Sequence, residues 1–153
     1  MASEDVSPPA PATGGVVPVD LRDWVRFDAG AATRVRVVTT GRLALDLWCI
    51  QPHQATEVLT LPEADVVYTV LGGRSWFATD DGEVGLDPLG SLTVPAGTVH
   101  GIANRAPDPL IVMAVSSPPE QAPDLSAPAA SDGRAVRSSA QGGLGRLLTR
   151  RRR

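Results

Sequence analysis

Lysine is missing from this chain of 153 residues, and all fourteen basic side chains are arginine. Without a lysine amine there is no Schiff-base chemistry and no covalently held pyridoxal cofactor. Cysteine is reduced to Cys49, which excludes a disulfide framework and a cysteine metal cluster. Between Trp48 and Ile50 it reads as a small hydrophobe in a buried strand rather than a nucleophile. Histidine occurs only as His53 and His100, so donors for a metal are few. No apolar stretch is long enough to span a bilayer, and Glu4 and Asp5 stand where a secretory signal carries positive charge. The cytoplasm is therefore the expected location.

What is present divides the chain into three. Residues 1–16 are Pro, Ala, Gly and acid, too poor in large apolar side chains to offset the entropy of ordering. Residues 118–153 turn to Pro, Ala, Ser, Gly and Arg, and are expected to be disordered as well. Residues 17–117 hold the apolar patterning and are enough for one compact core. Charge is uneven across these parts. The central part carries seven arginines against twelve acids, and the stretch from Pro119 onward seven arginines against three acids. An acidic core argues against a sequence-specific nucleic-acid-binding domain.

The central part is written in short β-type runs broken by turn residues: 34–39, 43–50, 57–61, 65–71, 74–79, 83–86, 91–94, 98–104 and 110–116. Pro52, Pro62, Pro95 and Pro109 fall between runs, as ladder strands require. Asp81-Gly82 reads as a hairpin turn. In the second run Leu43, Leu45, Leu47 and Cys49 share one face, and Ala44, Asp46, Trp48 and Ile50 the other. No window has a helical period. The pattern predicts an all-β sandwich or barrel, with jelly roll, immunoglobulin sandwich and lipocalin all compatible.

The stretch from Gly90 to Asn104 narrows this choice. Pro95 and Gly97 supply a tight turn, His100 follows Gly97 by three residues, and Asn104 comes four later. This spacing resembles the second motif of the cupin superfamily, and the likeness in frame extends from about Leu43 to Ser116. The resemblance implies a double-stranded β-helix, a jelly-roll barrel, and a homodimer. It also implies that His100 points into the barrel, where the family binds a metal. The family's first motif carries a histidine pair, an acid and a glycine. Anchored on Gly73, that frame puts Val66 at the acid position with Asp65 beside it; anchored on Gly72, it puts Asp65 there. In both frames the histidine pair falls on Leu59 and Leu61. Leucine has no lone pair to donate, so the expectation is a degenerate centre with no metal ligands and no cofactor.

The candidate ligand-binding residues are therefore His100, Tyr68, Trp48, Leu59, Leu61 and Val66. His100 is either a pocket group that binds or moves a proton, or a histidine whose nitrogens are satisfied by backbone or by Asn104. Tyr68 shares the inward face of its strand with Val66 and Val70 by alternation, and a buried phenol needs a partner. Of Trp76 and Phe77 only one can face in. Asp65 reads as a solvated strand edge. His53 reads as a loop histidine that could join His100 only with help from Asp65 or Glu63. The tail from Gly142 ends in Arg150–Arg153, a solubilising run that could contact an anionic surface (membrane lipid or nucleic acid) or dock through Leu144, Leu147 and Leu148.

Two readings follow from the resemblance. One is a non-catalytic module that binds a small apolar or amphipathic molecule or serves as a structural or regulatory subunit. The other is a cupin-type enzyme (oxygenase, isomerase or epimerase) using a non-standard metal site or metal-free acid/base chemistry through His100 and Tyr68.

Overall fold

A computed structural model describes residues 15–119, and the two tails expected to be disordered, 1–16 and 118–153, lie outside the described residues except for 15–16 and 118–119. Eight strands follow a single turn of 3-10 helix at Leu21–Trp24: β1 (Thr33–Thr39), β2 (Ala44–Ile50), β3 (Asp65–Gly72), β4 (Ser75–Thr79), β5 (Gly82–Leu86), β6 (Ser91–Val94), β7 (His100–Ala103) and β8 (Leu110–Ser117). They form a five-stranded sheet in the order β1-β2-β8-β3-β6 and a three-stranded sheet in the order β5-β4-β7, with every named pair antiparallel. The apolar core lies between the inward faces of the two sheets and includes Ile50, Tyr68, Val70, Phe77, Ile102, Leu110 and Val112.

The run 57–61 is not a regular strand. It belongs to an irregular segment bridged to β7 at Ala55–Ala103 and Leu59–His100. The backbone bonds that hold it include Leu59 N–H to the His100 carbonyl at 2.7 Å, His100 N–H to the Leu59 carbonyl at 3.0 Å, and Thr56 N–H to the Ile102 carbonyl at 2.8 Å. Pro62 and the Pro52-His53 turn bound the segment and keep it from growing into a longer ladder.

The helical turn was not visible as a period because it spans only four residues. Its Asp20 cap accepts the Arg22 N–H at 3.0 Å, the side-chain substitute for a missing helical partner. The turn has a packing role. Leu21, Trp24, Val25 and Phe27 lie over Val37, Leu47 and Cys49 on the outer face of β1 and β2. Hence both faces of β2 are covered, and all of its residues but Leu45 are buried. Burial also raises the Cys49 thiol above its ordinary pKa, which leaves it un-ionised and inert.

Candidate functional site

The turn before β7 places the histidine. Gly97 takes φ +79°, a left-handed conformation that favours glycine, and donates its N–H to the Leu61 carbonyl at 2.7 Å. Asp65 is exposed, as expected of a strand edge, and its carboxylate accepts the Ala96 N–H at 2.8 Å across the same turn. His100 then enters β7 with its side chain turned inward and 1 % exposed.

Both ring nitrogens of His100 are engaged. Nδ1 lies 2.9 Å from the Thr98 carbonyl, which can only accept, so Nδ1 carries the proton. Nε2 is left with a lone pair, and the Tyr68 hydroxyl donates to it at 2.7 Å. The Tyr68 and His100 rings meet edge-on with centroids 5.4 Å apart. Burial lowers the His100 pKa against a smaller opposing effect of the Thr98 bond, and burial raises the Tyr68 phenol well above its ordinary value. The pair is thus neutral, with the shared proton on the tyrosine oxygen.

Asn104, the expected alternative partner, does not serve His100. Its amide donates to the Ile50 carbonyl at 3.0 Å and the Asp108 carbonyl at 2.8 Å, and its oxygen accepts the Ala106 N–H at 3.0 Å. It is a clamp for the 104–109 loop.

Leu59 sits directly opposite His100, and the two exchange both backbone hydrogen bonds. Leu59, Leu61, Val66, Tyr68 and Trp48 all line one cleft, together with Arg34, Asp46, Ala114 and Ser116. Its volume is about 20 Å³, room for little more than one water molecule. Five of the six residues singled out from the sequence therefore converge. The sixth, His100, is not part of the lining but is hydrogen-bonded to Tyr68, which is.

The other candidates lie elsewhere. Phe77 faces the core, its ring 5.1 Å from that of Tyr68, while Trp76 faces outward beneath Arg74 and Arg105 at 5.3 and 5.7 Å. His53 is exposed at a loop position with φ +66°. Among the described residues no three His, Cys, Asp or Glu side chains come together, so His53, Asp65 and Glu63 do not complete a set with His100. A divalent ion fits this donor set poorly, because the corner beside His100 is leucine and the one imidazole lone pair already accepts a proton donor.

Sequence reasoning missed the charged wall of the cleft. Asp46 on β2 is buried, and four N–H groups from Arg34 and Arg36 on β1 bind its carboxylate. Arg34 also lies over the Trp48 ring at 5.8 Å. A signal did exist. Arg34 and Arg36 alternate onto one face of their strand, Asp46 and Trp48 onto one face of the next, and a four-residue turn joins the two strands.

Neither a protein-family model nor a curated protein matches the sequence. Solved structures do. The chain is similar to the TT1209 protein of Thermus thermophilus at 28 % identity and TM-score 0.63, over 66 % of this chain and 96 % of that one. It is similar to an uncharacterized conserved protein with a double-stranded β-helix domain from Klebsiella pneumoniae at 24 % identity and TM-score 0.64, over 68 % and 91 % of the two chains. It also resembles an RmlC-like cupin from Desulfovibrio desulfuricans at 22 % identity and TM-score 0.63, over 69 % and 100 %. No helix among the described residues is long and apolar enough to cross a membrane. Strand order and these likenesses agree on the fold: the chain is a double-stranded β-helix, the fold it shares with cupin structures.

Proposed function

We propose that this chain is a cupin-fold module that has lost its metal centre and works without catalysis, binding a small apolar or amphipathic molecule at the cleft above Tyr68. One observation carries the reading: the Nε2 lone pair of His100 is taken by the Tyr68 hydroxyl, and the residue facing it across the ladder is leucine. The cleft volume of about 20 Å³ limits what can enter to a small end group, since sites that engulf a ligand measure roughly 300–1,000 Å³. The body of the ligand then rests on Leu59 and Leu61, which are only half-buried.

A homodimer belongs to the same reading. On the outer face of the five-stranded sheet Val67 and Leu71 are 41 % and 37 % exposed, beside half-buried Met113 and Val115 on β8. A second copy is the occupant that such a face would pair with.

The test is metal content of protein purified without chelators, combined with His100→Ala. The reading expects well under one equivalent of iron, manganese or zinc. It also expects ligand binding that survives His100→Ala in proportion to the folded fraction. A stoichiometric, tightly held metal ion rejects it.

The second reading is metal-free acid/base chemistry, favoured by the 2.7 Å contact between a phenol and a neutral imidazole. In it Tyr68 gives its proton to His100 and takes one from the substrate. Turnover abolished by Tyr68→Phe, in a protein that still melts cooperatively, would establish it.

A further inference from the structure

The Arg34–Asp46–Arg36 cluster is more than a structural ion pair on one count. A guanidinium has five N–H donors. Arg34 spends two of them, on Nε and Nη2, and both go to the same oxygen of Asp46 at 3.0 and 2.5 Å. Among the described residues Arg34 has no other hydrogen-bond acceptor. Yet its side chain is only 16 % exposed and forms part of the cleft wall. Three donors of a fixed, planar, positively charged group thus remain, on a residue that lines a small cleft whose apolar walls include Trp48, Leu59, Leu61, Val66 and Ala114, beside the polar Tyr68 and Ser116.

Asp46 also lines the cleft, and its charge opposes an anion. That charge is covered: both carboxylate oxygens accept guanidinium N–H groups, Oδ1 from Arg36 and Oδ2 from Arg34 and Arg36. The polar end of the cleft therefore favours an acceptor with lone pairs, and its apolar walls favour an alkyl or aryl body. The planar fork of arginine matches a carboxylate in two parallel hydrogen bonds.

Resting on the reading of the cleft as a binding site, we infer that its ligand is an amphipathic monocarboxylate, the carboxylate held by Arg34 and the apolar body lying over Leu59 and Leu61. The small volume agrees with this assignment. It admits no more than the tip of the head group, while the half-buried leucines extend the apolar surface outward.

Calorimetric titration of the full chain with hexanoate, 1-hexanol and hexylamine separates head group from body, because all three share one alkyl chain. Hexanoate is expected to bind at least tenfold more tightly than either of the others. Arg34→Gln should bring hexanoate to the level of hexanol. Ala114→Val, which narrows the cleft and leaves Arg34 and Asp46 in place, should weaken hexanoate at least tenfold. Where Arg34→Gln fails to melt cooperatively, Arg34→Lys substitutes a point charge for the fork and should cost at least threefold. Equal binding of hexanoate and hexanol, or hexanoate affinity unchanged by the Arg34 substitution, overturns the carboxylate assignment and leaves a binding cleft standing. No binding of any of the three overturns both. A stoichiometric metal in the same sample defeats the underlying reading by an independent readout.

Discussion

At His100 two neutral side chains close on each other, and every ring nitrogen has its partner inside the barrel. At Arg34 two cations share one carboxylate, and a residue lining the cleft keeps donors that Asp46 does not use. Both clusters flank the same few apolar residues, Tyr68 belonging to the first and lining the second. The difference teaches where chemistry can still occur in this fold. Groups that satisfy one another, as at the histidine, add rigidity and resist new partners. Charge held in an over-subscribed pair keeps donors for something else.

The sharpest way to break the comparison is to reopen the histidine corner. Leu59→His with Leu61→His, in a Tyr68→Phe background that frees Nε2, should create a nickel or zinc site with Kd of about 1 µM or tighter, an appearance of roughly 8 kcal/mol of binding. Equilibrium dialysis reads it, and the parent protein should give no comparable site. If the triple variant stays metal-free while folded, side chains at 59 and 61 do not converge on the Nε2 side of His100.

Removing the shared anion comes next in size. Asp46→Ala leaves two guanidiniums without their carboxylate, one 16 % and the other 29 % exposed, and should cost about 3 kcal/mol, toward the lower end for a broken buried pair. Urea denaturation measures this, and a loss under about 1 kcal/mol would show the cluster to be well solvated.

At the neutral pair the effect is smaller. Tyr68→Phe strands a buried ring nitrogen and should cost about 1–3 kcal/mol. Adding His100→Leu replaces both polar partners and should recover much of that loss, since removing a whole pair is cheaper than removing half. A double variant less stable than the sum of the singles would contradict a mutually satisfied pair.

The smallest expected effect is on pH. The folded pKa of His100 lies below the ordinary 6.5, so below that value the unfolded chain binds the extra proton more readily. The stability contributed by neutral His100 is therefore complete above about 6.5 and is lost as pH falls from there through the folded pKa. Thermal melts of the parent protein and His100→Gln should diverge at neutral pH and converge in acid. Divergence that grows in acid has the wrong sign for this account.

Much of the fold was legible because strand runs and turn residues agree along the chain. Gly82 opens β5 as the Asp81-Gly82 turn required, and Pro109 stops just short of β8. Alternation correctly put Val66, Tyr68 and Val70 on one inward face. Residues 57–61 have the residue types of a strand, yet their hold comes from isolated bridges to β7, distant in sequence, which the pattern of the run itself does not show. The partner of His100 was unreadable for a similar reason. Tyr68 and His100 lie 32 residues apart on β3 and β7, strands that belong to different sheets. The Arg34–Asp46 contact needed the β1–β2 register, which shifts between Arg36 and Val38, where no residue pattern announces a bulge.

Everything proposed for this barrel requires that the Nε2 lone pair of His100 is already taken. Nitrogen NMR of the imidazole ring addresses it directly, in the presence and absence of added zinc or manganese. The account predicts a neutral ring near pH 7, protonated at Nδ1, with Nε2 showing the signature of a hydrogen-bond acceptor that disappears in Tyr68→Phe and is unmoved by metal. A ring protonated at Nε2, or an Nε2 resonance displaced by a stoichiometric ion in the parent protein, would contradict it.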